Sequence, residues 1–333
     1  MATVLKPASA LSTMGSRASL IAVAVLAALL FVAPLVGVYP VFLMKALCFA
    51  LFACAFNLLL GYGGLLSFGH AMFLGSAGYI CAHAAKVWGW PPELAILAGT
   101  LAATVLGVAV GLVAIRRQGI YFAMITLAIA QMVYFYALQA PFTHGEDGIQ
   151  SVPRGMLFGV IDLSRGLAMY YTVLVIFVAG FLMIYRIVYS PFGQVLKAIK
   201  ENEPRAISLG YDTDRYKLLA FVLSAALSGL AGSTKSIVFQ LASLTDVHWT
   251  MSGEVVLMVL LGGMGTIFGP VIGAFMLIGL ESFLSSGITI GGWVFGPEWV
   301  PVITGAIFVI CVLAFRRGVV GEVAAWYARR GRD

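Results

Sequence analysis

Long apolar runs alternate with short polar interruptions along most of the chain. The runs extend to about 20 residues without two-residue alternation, the pattern of membrane-crossing helices rather than barrel strands. They predict spans over residues 19–38, 41–60, 93–115, 120–138, 167–188, 218–239 and 299–315. Two more apolar stretches, residues 61–79 and 252–284, are interrupted by glycines. Residues 140–166, 240–250 and 285–298 read as connecting loops. The expectation is an all-α, polytopic membrane protein with about ten membrane segments, two of them Gly-interrupted. Residues 1–333 read as a single transmembrane domain, and the first span reads as uncleaved.

The longest polar interruption is residues 189–217. It concentrates Lys197, Lys200, Glu201, Glu203, Arg205, Asp212, Asp214, Arg215 and Lys217 between two spans. It predicts two short helices. The first covers residues 194–200, with Val195, Leu196, Ala198 and Ile199 among its lysines. Asn202 is suited to cap the second, and Pro204 fits its first turn, where a missing N–H costs nothing. Ala206, Ile207 and Leu209 then give an apolar face, and Gly210 suits a left-handed helix end. A rigid polar knob with apolar contact points predicts docking to a soluble partner; an ordinary solvated loop is the plainer alternative.

Composition fixes the class. Of 333 residues, 61% are hydrophobic and only 10% charged, against about 25% charged in soluble domains. The four cysteines all fall in apolar runs and the four histidines are scattered, which gives no disulfide or metal spacing. The net charge of +6 is distributed by topology, not gathered into a nucleic-acid surface. With the N-terminus inside, 15 of the 20 lysines and arginines fall on the inner side, which obeys the positive-inside rule. Residues 1–18, the segment 189–217 and the tail 316–333 are then expected in the cytoplasm. Trp88, Trp90, Trp249, Trp293 and Trp299 fall near the outer interface.

Gly63 and Gly64 precede Leu65-Leu66-Ser67-Phe68-Gly69, and Gly262 and Gly263 precede Met264-Gly265-Thr266-Ile267-Phe268-Gly269. Paired Gly-interrupted segments point to a transport pathway, because unwound backbone at membrane depth is tolerated only against protein or a water-filled path. A half-helix starting there offers N–H groups to an anionic substrate group. Close helix packing by glycine is the alternative, and Gly107 with Gly111 and Gly269 with Gly273 fit it. The candidate pathway residues are Asn57, Gly63, Gly64, Ser67, His70, Gly262, Gly263 and Thr266. His70 reads equally as a structural histidine. Asn57 and Gln131 can simply bond neighbouring helices, and Lys45 and Glu254 can reach the interface. The run from Gly229 to Ser236 lacks the Gly-Lys-Ser/Thr pair of a phosphate loop. No nucleotide site, nucleophile–base pair or cofactor site is expected in this chain.

The blocks NLLLGYGGLLSFGHAMFLGSAGY, RRQGIYFAMITLAIAQMVYF, AIKENEPRAISLGYDTDRYKLLAFVLSAALSGLAG and EVVLMVLLGGMGTIFGPVIGAF resemble the LivM-type permeases of branched-chain amino acid ABC transporters. The tail departs modestly, with Arg317 before Gly318 where relatives tend to have Pro-Arg-Gly. The resemblance implies a bacterial inner-membrane importer subunit. Its implied partners are a LivH-type second permease, two cytoplasmic ATPases that bind the ATP, and a periplasmic binding protein. It also implies that the block Lys197, Lys200, Glu201, Asn202, Glu203, Pro204, Arg205, Ile207, Leu209 and Gly210 engages an ATPase. Related permeases move urea, short amides or aromatic acids, so the cargo stays open between these and branched-chain amino acids. A stand-alone secondary transporter is the reading outside the family; it needs coupling-ion residues such as Glu254 and Glu281.

Overall fold

The computed structural model describes residues 25–34, 36–285, 288–290, 293–295, 302–303, 305–306, 309 and 318–322. Residues 19–24 of the expected first span, most of the last span and the arginine-rich tail lie outside the described residues. Residues 25–32 are helical. The bundle then comprises α1 (Pro40–Asn57), α2 (His70–Lys86), α3 (Pro92–Ala114), α4 (Ile120–Gln139) and α5 (Gly166–Tyr189). The knob supplies α6 (Pro191–Glu201) and α7 (Glu203–Ser208), followed by α8 (Thr213–Phe239), α9 (Trp249–Gly262) and α10 (Gly269–Ser285). This is an all-α, multi-pass membrane protein.

Five described helical segments are long and apolar enough to cross a membrane: Pro40–Tyr62, Pro92–Ala114, Ile120–Gln139, Gly166–Tyr189 and Thr213–Phe239. Their burial differs sharply. The first is 89% buried, whereas α4 is 28% buried. An apolar helix without a polar face belongs at the centre of a bundle, and α1 lies there, ringed by α5, α8, α9 and α10. α2 packs against α3 and α8. Small residues let these helices approach. A Cβ at Gly232 on α8 would run into the Leu74 carbonyl of α2, and one at Gly273 on α10 into the Met258 carbonyl of α9.

α9 has 14 residues, about 21 Å of helix, too short for a hydrocarbon core of about 30 Å. It stops at Gly262, and α10 resumes at Gly269. The other interruption has the same form. α1 passes into one wide π-type turn over Leu58–Tyr62, the chain runs non-helically to Gly69, and α2 begins at His70.

The loops at the other end carry more structure than their composition predicts. β1 (Ile149–Gln150) pairs antiparallel with β4 (Leu241–Ala242), joining the loop before α5 to the loop after α8. Lys86 Nζ donates to the Gln150 carbonyl (2.7 Å) and Arg154 to the Val238 carbonyl (2.8 Å). β2 (Met156–Leu157) pairs with β3 (Ile161–Asp162). The expected loop at 285–298 contains a hairpin of β5 (Ile288–Ile290) and β6 (Trp293–Phe295). Lys45 pairs with Glu281 at 3.5 Å, and Lys235 pairs with Asp246.

Candidate functional site: two helix breaks and a braced knob

The two breaks meet. Asn57, the last residue of α1, is only 2% exposed, at the far end of the helix from Lys45. Its Nδ2 donates to the Thr266 carbonyl at 2.9 Å, and the Gly265 amide donates to its Oδ1 at 2.9 Å. One partner only accepts and the other only donates, so the amide orientation is fixed. A single side chain thus satisfies a free N–H and a free C=O of the second break from the first. A Cβ at Gly61 would collide with Asn57 and approach the Gly265 nitrogen to 2.7 Å. Glycine is therefore what lets the two breaks touch.

Each break is also closed internally. Gly64 (φ 71°) and Gly263 (φ 123°) take left-handed conformations open to glycine. Thr266 Oγ1 donates to the Gly263 carbonyl (2.7 Å) and accepts from the Gly269 amide (3.0 Å), which caps α10. Ser67, fully buried, accepts from the Gly69 amide (3.2 Å), and Ser252 of α9 accepts from the Ala71 amide (2.9 Å). The amides of Gly69, Ala71, Gly265 and Gly269 at these breaks are thus engaged within the chain. Gly262 serves packing: a Cβ there would strike the Gly269 carbonyl. Gly318 lies against Gly263, so residues 318–322 join this end of the bundle.

His70 is fully buried among α1, α2 and α8. Its Nε2 lies 2.9 Å from Ser224 Oγ, whose proton goes to the Ala55 carbonyl at 2.6 Å. Ser224 therefore accepts, and the ring proton sits on Nε2. Phe56, Phe73 and Phe221 surround the ring edge to face, with centroids 4.9, 5.4 and 5.9 Å away. This is a histidine that ties α1, α2 and α8 together.

The first helix of the knob begins at Pro191, ahead of residue 194 where the sequence predicts its start. Ser190 caps α6, accepting from the Gly193 amide at 3.4 Å, with Pro191 at the first helical position. Asn202 Oδ1 accepts from the Arg205 amide (3.1 Å) and so caps α7, as its sequence predicts. Gly210 ends that helix at φ 86°. The last polar residues of the stretch, from Thr213, form the first turns of α8 instead. The expected apolar face divides. Ala206 is buried, while Ile207, Leu209 and Tyr211 are 56%, 70% and 40% exposed.

A buried ion pair fastens the knob. Lys217, 3% exposed, donates to Glu203 Oε1 at 2.5 Å, and Thr213 Oγ1 reaches the same oxygen at 3.2 Å. Removing one partner strands the other charge, at about 3 kcal/mol. Glu203→Ala is expected to loosen residues 203–217 while the spans stay intact. Amide exchange there should rise by roughly a hundredfold; unchanged exchange would show that the pair is not the fastening.

On its inner side α6 rests on the first break. Leu196 is fully buried and lies 3.7 Å from where a Gly63 Cβ would be. The Lys197 ammonium stands over the rings of Tyr62 (5.4 Å) and Tyr189 (5.7 Å). Burial pulls the pKa of both Lys197 and Lys200 below the ordinary lysine value. An apolar groove of about 460 Å³ opens beside the break, between Gly64, Leu66 and Phe68 and the start of α4 at Ile120 and Ala123. Sequence reasoning named Asn57 and the glycines. It missed that Asn57 joins the breaks and that the knob rests on them, because the partners are distant in the chain.

A family model described as "Branched-chain amino acid transport system / permease component" matches residues 38–312. The high-affinity branched-chain amino acid transport system permease protein LivM of Escherichia coli K12 is 28% identical over 246 residues, 67% of this chain and 58% of that protein. The probable branched-chain amino acid transport permease protein LivM of Methanocaldococcus jannaschii is 26% identical over 233 residues, 66% of each chain. The permease protein LivH of Escherichia coli K12 is 27% identical over 134 residues, 40% of this chain and 41% of that protein. The chain thus spans 58% of the length of the LivM protein it matches in Escherichia coli. With the match to the family model running from residue 38 to residue 312, this chain belongs to the branched-chain amino acid transport system permease family.

Proposed function

We propose that the chain is the permease subunit of an ATP-driven importer for branched-chain amino acids. It would receive substrate from a periplasmic binding protein and pass it to the cytoplasm. The observation that carries this reading is the knob. It is capped and ion-paired, presents Ile207, Leu209 and Tyr211 outward in a polar setting, and rests by its other side on a helix break. Exposed apolar groups on a rigid polar element have the form of a docking patch. Residues 189–217 are accordingly assigned to coupling, through Lys197, Lys200, Glu201, Asn202, Glu203, Pro204, Arg205, Ile207, Leu209 and Gly210. The partners are two cytoplasmic ATPases, which hold the ATP, and a LivH-type second permease. Neither catalysis nor a cofactor is assigned to the chain itself.

Residues 1–18, the knob and residues 316–333 are placed on the cytoplasmic side of a bacterial inner membrane. Contact of Gly318 with Gly263 at the knob end supports this. So do the exposed tryptophans Trp88, Trp90 and Trp249 near the opposite helix ends. The pathway is assigned to the meeting of the breaks at Asn57, Gly63, Gly64, Gly262, Gly263 and Thr266. Ser67 closes the first break on itself through the Gly69 amide, and His70 ties the surrounding helices. Urea, short amides and aromatic acids are the other cargo classes of this reading.

A self-contained ion-coupled transporter is the second reading, favoured by Lys45, Glu281, Lys235 and Asp246, paired within the bundle near the end opposite the knob, with Glu254 on the adjoining helix. Reconstitution separates the two. The purified chain alone should not accumulate leucine under an ion gradient, and the chain with second permease, ATPases and binding protein should do so on ATP. Ion-driven accumulation by the chain alone would refute the importer reading.

A further inference from the structure

The knob and the first break are joined by one hydrogen bond whose position gives it a role. Lys200 lies in the last turn of α6, and its Nζ donates to the Gly61 carbonyl at 2.6 Å. Gly61 is in the wide turn where α1 ends. The side-chain stem crosses Gly64: a Cβ there would come within 2.9 Å of Lys200 Cγ. Gly61 also borders the second break, because Gly265 lies against it. One cation therefore reaches from the surface element to the place where both breaks meet.

Resting on the importer reading above, we propose that Lys200 is a positioning residue that links movement of the knob to the conformation of the helix breaks. A charge-assisted bond to a carbonyl is stronger than a neutral one, and here no longer chain of contacts intervenes. Lys197, one turn earlier, touches Tyr62 only through its ring face, a contact with broad geometry. Leu196 adds apolar contact at Gly63. Lys200 alone of these three holds backbone of the break in a fixed direction. When the knob shifts, the Gly61 carbonyl must follow or lose its donor. Loss would leave a carbonyl unpaired at the mouth of the pathway, which opposes slippage between the two elements.

Two measurements on Lys200→Met and Lys200→Arg test this. In the isolated full-length chain, the Met substitution should raise amide exchange over residues 61–66 at least tenfold, and the Arg substitution should not. In complete transporters that retain their ATPases, substrate imported per ATP hydrolysed should fall at least tenfold in the Met variant. Arg should restore most of that ratio. Wild-type import per ATP in the Met variant would overturn the proposal, as would parallel loss of ATPase binding and import. If the wild-type complex does not import on ATP at all, the importer reading falls, and the coupling role proposed for Lys200 falls with it.

Discussion

Asn57→Leu is expected to abolish transport, with import down at least a hundredfold, although the side chain is nearly the same size. The physical reason is the pair of hydrogen bonds it makes across the breaks. Leucine removes the donor to Thr266 and the acceptor for Gly265 together. Each backbone group left unpaired away from water costs about 1–3 kcal/mol, so the meeting of the breaks loses about 4 kcal/mol in all. Few other contacts hold this place, because Gly61, Gly263 and Gly265 have no side chains to contribute. The breaks should separate or collapse, and either outcome closes the pathway. Asn57→Asp keeps the acceptor and turns a second oxygen on the Thr266 carbonyl, so it should be defective too. The check is substrate uptake normalised to the amount of folded complex, with thermal inactivation read in parallel. Wild-type uptake by the Leu variant would show that the bridge does not hold the pathway.

Much of this architecture could be read from the chain. The spans were legible because 20-residue apolar runs in a bilayer have few alternatives, and the breaks because paired glycines interrupt two of them. Asn202, Pro204 and Gly210 announced the short helix of the knob through local capping chemistry, which needs no distant partner. Ser190-Pro191 carried an equally local signal for the true start of α6. The remainder depends on distance. Asn57 meets residues more than two hundred positions away, Lys200 reaches back to Gly61, and β1 finds β4 across the four helices α5 to α8. Periodicity carries no information about such pairs. His70 shows the same limit from the other side: its place beside a break suggested a pathway, whereas its partners are Ser224 and three phenylalanines.

Membership of the permease family makes the chain a transport component, and under the proposed function the knob is where it receives work. Ile207→Asp is expected to weaken ATPase association by about 3 kcal/mol, roughly a hundredfold. The substitution should not disturb the fold, since Ile207 is 56% exposed and the knob is held by Asn202, Glu203 and Lys217 instead. A desolvated carboxylate at the centre of an apolar patch is the cause. Leu209→Asp, on the same exposed patch, should act alike. Co-purification of the ATPases with each variant measures the effect, and full retention by both would place the docking surface elsewhere.

The most direct measurement puts a photo-crosslinking residue at position 207 of the assembled transporter in its membrane. The account predicts a crosslink from the cytoplasmic side to an ATPase subunit, abolished when the ATPases are left out. A crosslink to the periplasmic binding protein, or to lipid alone in the complete assembly, would contradict it.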